Sequence, residues 1–164
     1  MLETAIATAV LMVGVVGVMS LFAVSAAMNS DFGEVATRCT EYAQDKMEQL
    51  LAIPFTNTTA DTINTASNPQ TDYSNASGHG TGLAVGGSVA PATPVQYYVD
   101  YFDGSGNRLA GSSTGAFYTR QWSISVDGTG KVKTITVSVT AATSIGGKYQ
   151  PASATLACYT VNLN

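Results

Sequence analysis

A lone carboxylate ahead of an apolar run, two cysteines and a single histidine are the side chains with which this 164-residue chain could do chemistry. His79 stands in Gly78-His79-Gly80-Thr81-Gly82, and no nucleophile and orienting group can be assembled around it. The chain therefore reads as a non-enzyme with no cofactor. Cys39 and Cys158 lie 119 positions apart, and with one histidine they supply too few ligands for zinc, so no metal is expected. An even cysteine pair in an exported chain reads most simply as one disulfide joining an early helix to the last strand, and two buried thiols are the other reading. Such a bridge would contribute up to roughly 4 to 5 kcal/mol by loop entropy. Asp103, Ser105 and Asn107 have the spacing of a calcium-loop start, but Thr114 occupies the twelfth position, which favours a hairpin turn. Asn57-Thr58-Thr59 and Asn75-Ala76-Ser77 match the glycosylation sequon, with plain exposed loop as the alternative.

The elements that must position these residues follow from hydropathy. Ala5 to Ala27 is a run of 23 residues without a charge. As a helix it spans roughly 35 Å, enough to cross about 30 Å of hydrocarbon. A signal peptide would carry a basic segment ahead of a shorter apolar stretch. The opening Met1-Leu2-Glu3 has none, so either a basic leader has been removed or orientation is set elsewhere. From residue 31 to 53 the apolar side chains Phe32, Val35, Ala36, Cys39, Tyr42, Ala43, Met47, Leu50 and Leu51 fall at helical spacing, and Asp31, Glu34, Arg38, Glu41, Asp45, Lys46 and Glu48 lie mostly opposite. No proline interrupts residues 2 to 53, so both runs form one helix that Pro54 ends.

Residues 54–94 are rich in Ser, Thr, Gly and Asn and read as a surface excursion with short elements at most. From Val95 the period becomes two. Val95, Tyr97, Val99 and Tyr101 alternate with polar residues, followed by strand patterns at Tyr118 to Val126, Lys131 to Ala142 and Ala152 to Val161. The expected architecture is α+β: an N-terminal helix over 1–53 (apolar 1–27, amphipathic 28–53), the excursion over 54–94, and an antiparallel meander over 95–164 whose apolar face packs on the helix.

Composition excludes further classes. Only 11% of residues are charged, and 7 Lys and Arg against 11 Asp and Glu give a net charge of −4. A basic surface for nucleic acid is ruled out. Polar uncharged residues must supply solubility, as in exported proteins.

Met1-Leu2-Glu3-Thr4-Ala5, the charge-free run behind it, and Ala43-Gln44-Asp45-Lys46-Met47-Glu48-Gln49-Leu50-Leu51-Ala52-Ile53-Pro54-Phe55 together resemble bacterial type IV pilins and pseudopilins over the first third of the chain. The rest resembles that family in architecture only. The resemblance implies a basic leader cut by a prepilin peptidase and N-methylation of the first residue. It further implies storage in the inner membrane and polymerisation with copies of itself, by the pilus assembly machinery, into an extracellular filament used in adhesion, motility or uptake. It implies that Glu3 pairs with the N-terminal amine of a neighbouring subunit, the place held here by Met1, and so sets subunit register; a carboxylate resting at the membrane interface is the simpler alternative. In the family this glutamate lies a couple of residues further from the mature terminus than Glu3, which implies a start ahead of Met1. Gly14 and Gly17 are read either as close-packing positions or, as pilins often show, as a place where the helix unwinds on entering the filament. A minor pilin or secretion pseudopilin, and an anchored binding domain that never polymerises, are the rival readings.

Overall fold

The computed structural model describes residues 2–59, 81–90, 92, 94–109, 113–142 and 151–162. Among these described residues are one long helix, α1 (Leu2–Leu51), and six strands: β1 (Gly86–Gly87), β2 (Val99–Phe102), β3 (Arg108–Leu109), β4 (Tyr118–Val126), β5 (Val132–Ala141) and β6 (Ser153–Val161). The chain forms two compact units, Met1–Glu34 and Val35–Asn164. The second is an α+β layer pair, with the later half of α1 packed on the antiparallel sheet.

α1 ends where proline requires it. The Ala52 amide still donates to Glu48 O and the Ile53 amide to Leu50 O, and Pro54 has no amide with which to continue. Within the second unit, Cys39, Ala43, Lys46, Met47 and Leu50 are the buried helix residues. Four of these are apolar residues of the expected stripe. Lys46 corrects the reading that placed it on the solvent face.

The sheet order is β3-β2-β4-β5-β6, with β1 also paired to β4. From β4 to β6 it is the expected meander, with Ile135, Val137 and Val139 wholly buried toward the helix. β2 departs from expectation. Tyr97 has φ 72° and the Tyr98 amide bonds back to Val95 O, so the chain turns before the strand begins. That turn shifts the alternation: Asp100 and Phe102 fall in register with Arg120 and Tyr118 on the helix face, while Val99 and Tyr101 take the opposite face. All four β2 residues are nevertheless buried.

β1 lies so close to β4 that only glycine is tolerated. A Cβ on Gly87, itself at φ +82°, would run into the Trp122 backbone oxygen and the Tyr98 ring. After α1 the chain is tied to β5 and to the segment before β1. The Leu83 amide donates to Asn57 O at 2.8 Å. Lys133 Nζ donates to Phe55 O at 2.6 Å and Leu83 O at 2.8 Å, with its ammonium 4.5 Å from the Phe55 ring centre.

Candidate functional site

In the first unit, every described residue of α1 up to Glu34 is exposed, and most of those side chains are apolar. Val10, Met12, Val13, Leu21 and Phe22 each keep more than two thirds of their surface open. An exposed apolar helix is stable only in a solvent other than water. Its polar hydroxyls fit that solvent. Thr8 Oγ1 donates to Thr4 O at 2.9 Å and Ala5 O at 3.0 Å, and Ser20 Oγ donates to Gly17 O at 2.8 Å, so both are satisfied inside their own helix. α1 is long and apolar enough to anchor the chain in a membrane. Glu3 sits in its first turn, where the helix dipole favours an anion.

The helix is unbroken through Gly14 and Gly17, so it keeps its backbone ladder in the single chain. Nothing lies within 4 Å of where a Cβ would stand on either glycine. With Val10, Leu11, Val15, Val18 and Phe22 among its walls, Gly14 lines a shallow apolar groove.

In the second unit the helix is held by a buried ionic cluster. Asp100 Oδ1 takes Arg108 Nη2 at 2.7 Å, and Oδ2 takes Arg120 Nη2 at 2.7 Å and Nε at 3.1 Å, with Lys46 Nζ 3.6 Å away. Arg120 Nη1 then reaches α1, donating to Tyr42 O at 3.0 Å and to Asp45 Oδ2 at 2.8 Å. Burial alone would push the Asp100 carboxyl up. The combined fields of Lys46, Arg120 and Arg108, with the Arg120 hydrogen bonds, hold it well below the usual carboxylate range. Lys46 Nζ lies 3.6 Å from the Trp122 ring centre, while Tyr42 stacks on Phe102 at 4.9 Å and meets the Tyr118 edge at 5.2 Å. These groups fix the position of α1 on the sheet. The spacing of Lys46, three residues after Ala43 and four before Leu50, and of Arg120, between Tyr118 and Trp122, was the available signal for both.

The Cys39–Cys158 disulfide is corrected: both thiols are free. Cys39 Sγ lies 3.6 Å from Ala152 O, just before β6. Cys158 faces the helix side as expected but pairs with Ile135, six residues further along, or about 20 Å of strand. A bridge needs Cα atoms within about 7 Å. Burial pushes the Cys39 thiol up, and a backbone hydrogen bond from Ala141 only partly opposes this.

Asp103 caps the β2–β3 turn, accepting the Ser105 and Asn107 amides at 2.8 Å and Asn107 Nδ2 at 2.9 Å, as expected of a hairpin loop. These bonds, the Asn107 side chain foremost, pull its carboxyl down. Among the described residues, no three His, Cys, Asp or Glu side chains gather as a metal site. Asn57 is half-buried, and its Oδ1 accepts the Thr59 amide at 2.9 Å. Met1, Asn75 and His79 lie outside the described residues. Comparison with family models, curated proteins and solved structures finds no match.

Proposed function

We propose that the chain is a pilin-like structural subunit, which polymerises through its apolar N-terminal helix into an extracellular filament of the type IV pilus kind. The observation that carries this reading is the division of one continuous helix, with a wholly exposed apolar half bearing the single charge Glu3 and a second half locked to a sheet by Asp100, Arg120 and Lys46. The apolar half rests in the inner membrane until a leader is cut by a prepilin peptidase and the assembly machinery draws the subunit out. Lipid and neighbouring helices are equally apolar, so exchanging one for the other costs little, and close packing with polar pairing decides the arrangement. A carboxylate in hydrocarbon is unfavourable by about 2.5 to 3.5 kcal/mol, so Glu3 rewards the one axial register in which a neighbour's amine meets it. The sheet then forms the filament surface.

Electron microscopy of material sheared from producing cells, with mass spectrometry of the fibres, tests this. Fibres built mainly from this chain, and a Glu3→Ala variant left in the membrane fraction, are the expected results. Fibres without the chain, or normal assembly of Glu3→Ala, would overturn the proposal in favour of an anchored domain that does not polymerise.

A further inference from the structure

β6 is an edge strand of nine residues, Ser153–Val161, without a charge or a proline. Natural edges are usually shortened, charged or covered, because an open one templates another strand. The hydrogen-bond parity of this edge follows from its two ends. The Ala141 amide donates to Ala152 O, and the Asn162 amide donates to Lys131 O. Residues 152 and 162 therefore turn their backbone groups toward β5, as do the even-numbered residues between them. Ser153, Thr155, Ala157, Tyr159 and Val161 turn theirs outward, and all five are exposed. Among the described residues these outward groups have no backbone partner; the Tyr159 carbonyl has only the Cys158 thiol, at 3.8 Å. The helix-side residues of β6 are also incompletely covered. Ala154, Leu156 and Cys158 are half-buried beside the wholly buried Ile135, Val137 and Val139.

We propose that β6 is a pairing edge for a second copy of this chain, antiparallel and centred on Ala157. That register is the one in which all nine residues pair. It sets Ala157 opposite its own copy, Thr155 opposite Tyr159 and Ser153 opposite Val161. On the helix side Leu156 meets Cys158, so both half-covered apolar rows are closed at once. Aromatic against β-branched is a favourable cross-strand pair, and the centre is small enough for self-contact. A second copy fits better than a charged peptide because the edge offers no charge to read.

The two-fold axis of such a pair is perpendicular to the sheet. β6 runs the same way as α1: Cys39 lies at the start of β6, whereas Lys133, opposite Thr160, binds Phe55 just beyond the helix. The axis thus reverses the helix direction between copies. On the filament reading, and resting on it, β6 joins two filaments of opposite polarity side by side, the arrangement that facing cells would present.

The full chain in detergent micelles, treated with a short bis-maleimide, tests the pairing through the Cys158 thiol. In the proposed register the two Cys158 residues are diagonal neighbours at roughly 7 to 8 Å, within linker reach and beyond a direct disulfide. The expected product is a dimer whose peptide map links Cys158 to Cys158. Ala157→Lys and Ala157→Glu each place like charges across the axis and lower the yield about fivefold, and mixing the two variants restores it. Rescue on mixing also shows that both variants fold. Absence of the wild-type dimer, or a yield indifferent to both substitutions, would overturn the proposal. Glu3→Ala leaves the cross-link unchanged, which separates this result from a failure of polymerisation.

Discussion

Asp100 holds three cations with one carboxylate, and its removal takes that anion from Lys46, Arg108 and Arg120 together. Breaking a buried ionic group from one side costs about 3 to 5 kcal/mol, so Asp100→Asn is expected to lower the stability of the second unit by that order, read by thermal or urea unfolding in detergent. The pH dependence has a definite sign. The folded carboxyl titrates below its unfolded value of about 3.9, so its contribution is complete above that value and drains away as pH falls further. The gap in melting midpoint between wild type and Asp100→Asn should stay level from about pH 8 to 5 and narrow below about pH 4. Helical spacing sets Lys46 on the face of Ala43, Met47 and Leu50, but it could not reveal the cluster, because the partner that makes this burial tolerable, Asp100, is distant in sequence.

At the scale of elements, α1 was the most legible part, because an uncharged run, an amphipathic run and a terminal proline each carry a local physical signal. The strands from β4 to β6 followed from alternation for the same reason. β2 did not, since a left-handed residue at Tyr97 resets which side chains face the helix, and nothing in the pattern Val95 to Tyr101 marks it. Nor did the thiols, whose separation along β6 depends on where the strand begins relative to Cys39. The glycines of α1 give a test that belongs to the helix alone. Gly14 and Gly17 have open space around them, so Ala at both positions adds about 1 kcal/mol of helix preference each without a clash. Helicity by circular dichroism should hold or rise in detergent. If assembly requires unwinding there, the yield of sheared fibres should fall; an undiminished yield would exclude unwinding at the glycines as a requirement for assembly.

For the whole molecule, the α+β class and the helix-on-sheet layering were legible because a one-sided helix and a one-sided sheet have one another to cover. The turn at Asp103 was legible from its local chemistry, but the ionic cluster joining β2 and β3 to α1 was not, because it is fixed by contacts between distant parts of the chain. One such contact lies at the foot of the excursion. The Leu83 amide meets Asn57 O, and Lys133 grips Phe55 O and Leu83 O, so the two ends of this stretch are held side by side on β5. Closure entropy grows only slowly with length: an insertion that doubles the stretch between Asn57 and Leu83 should cost about 0.6 kcal/mol, measured as a small shift in the unfolding midpoint. A stretch whose ends are so clasped is a port for grafting. Foreign peptides could be carried there while the helix and sheet keep their own thermodynamics, and a polymer of such subunits would present the cargo once per subunit along its length.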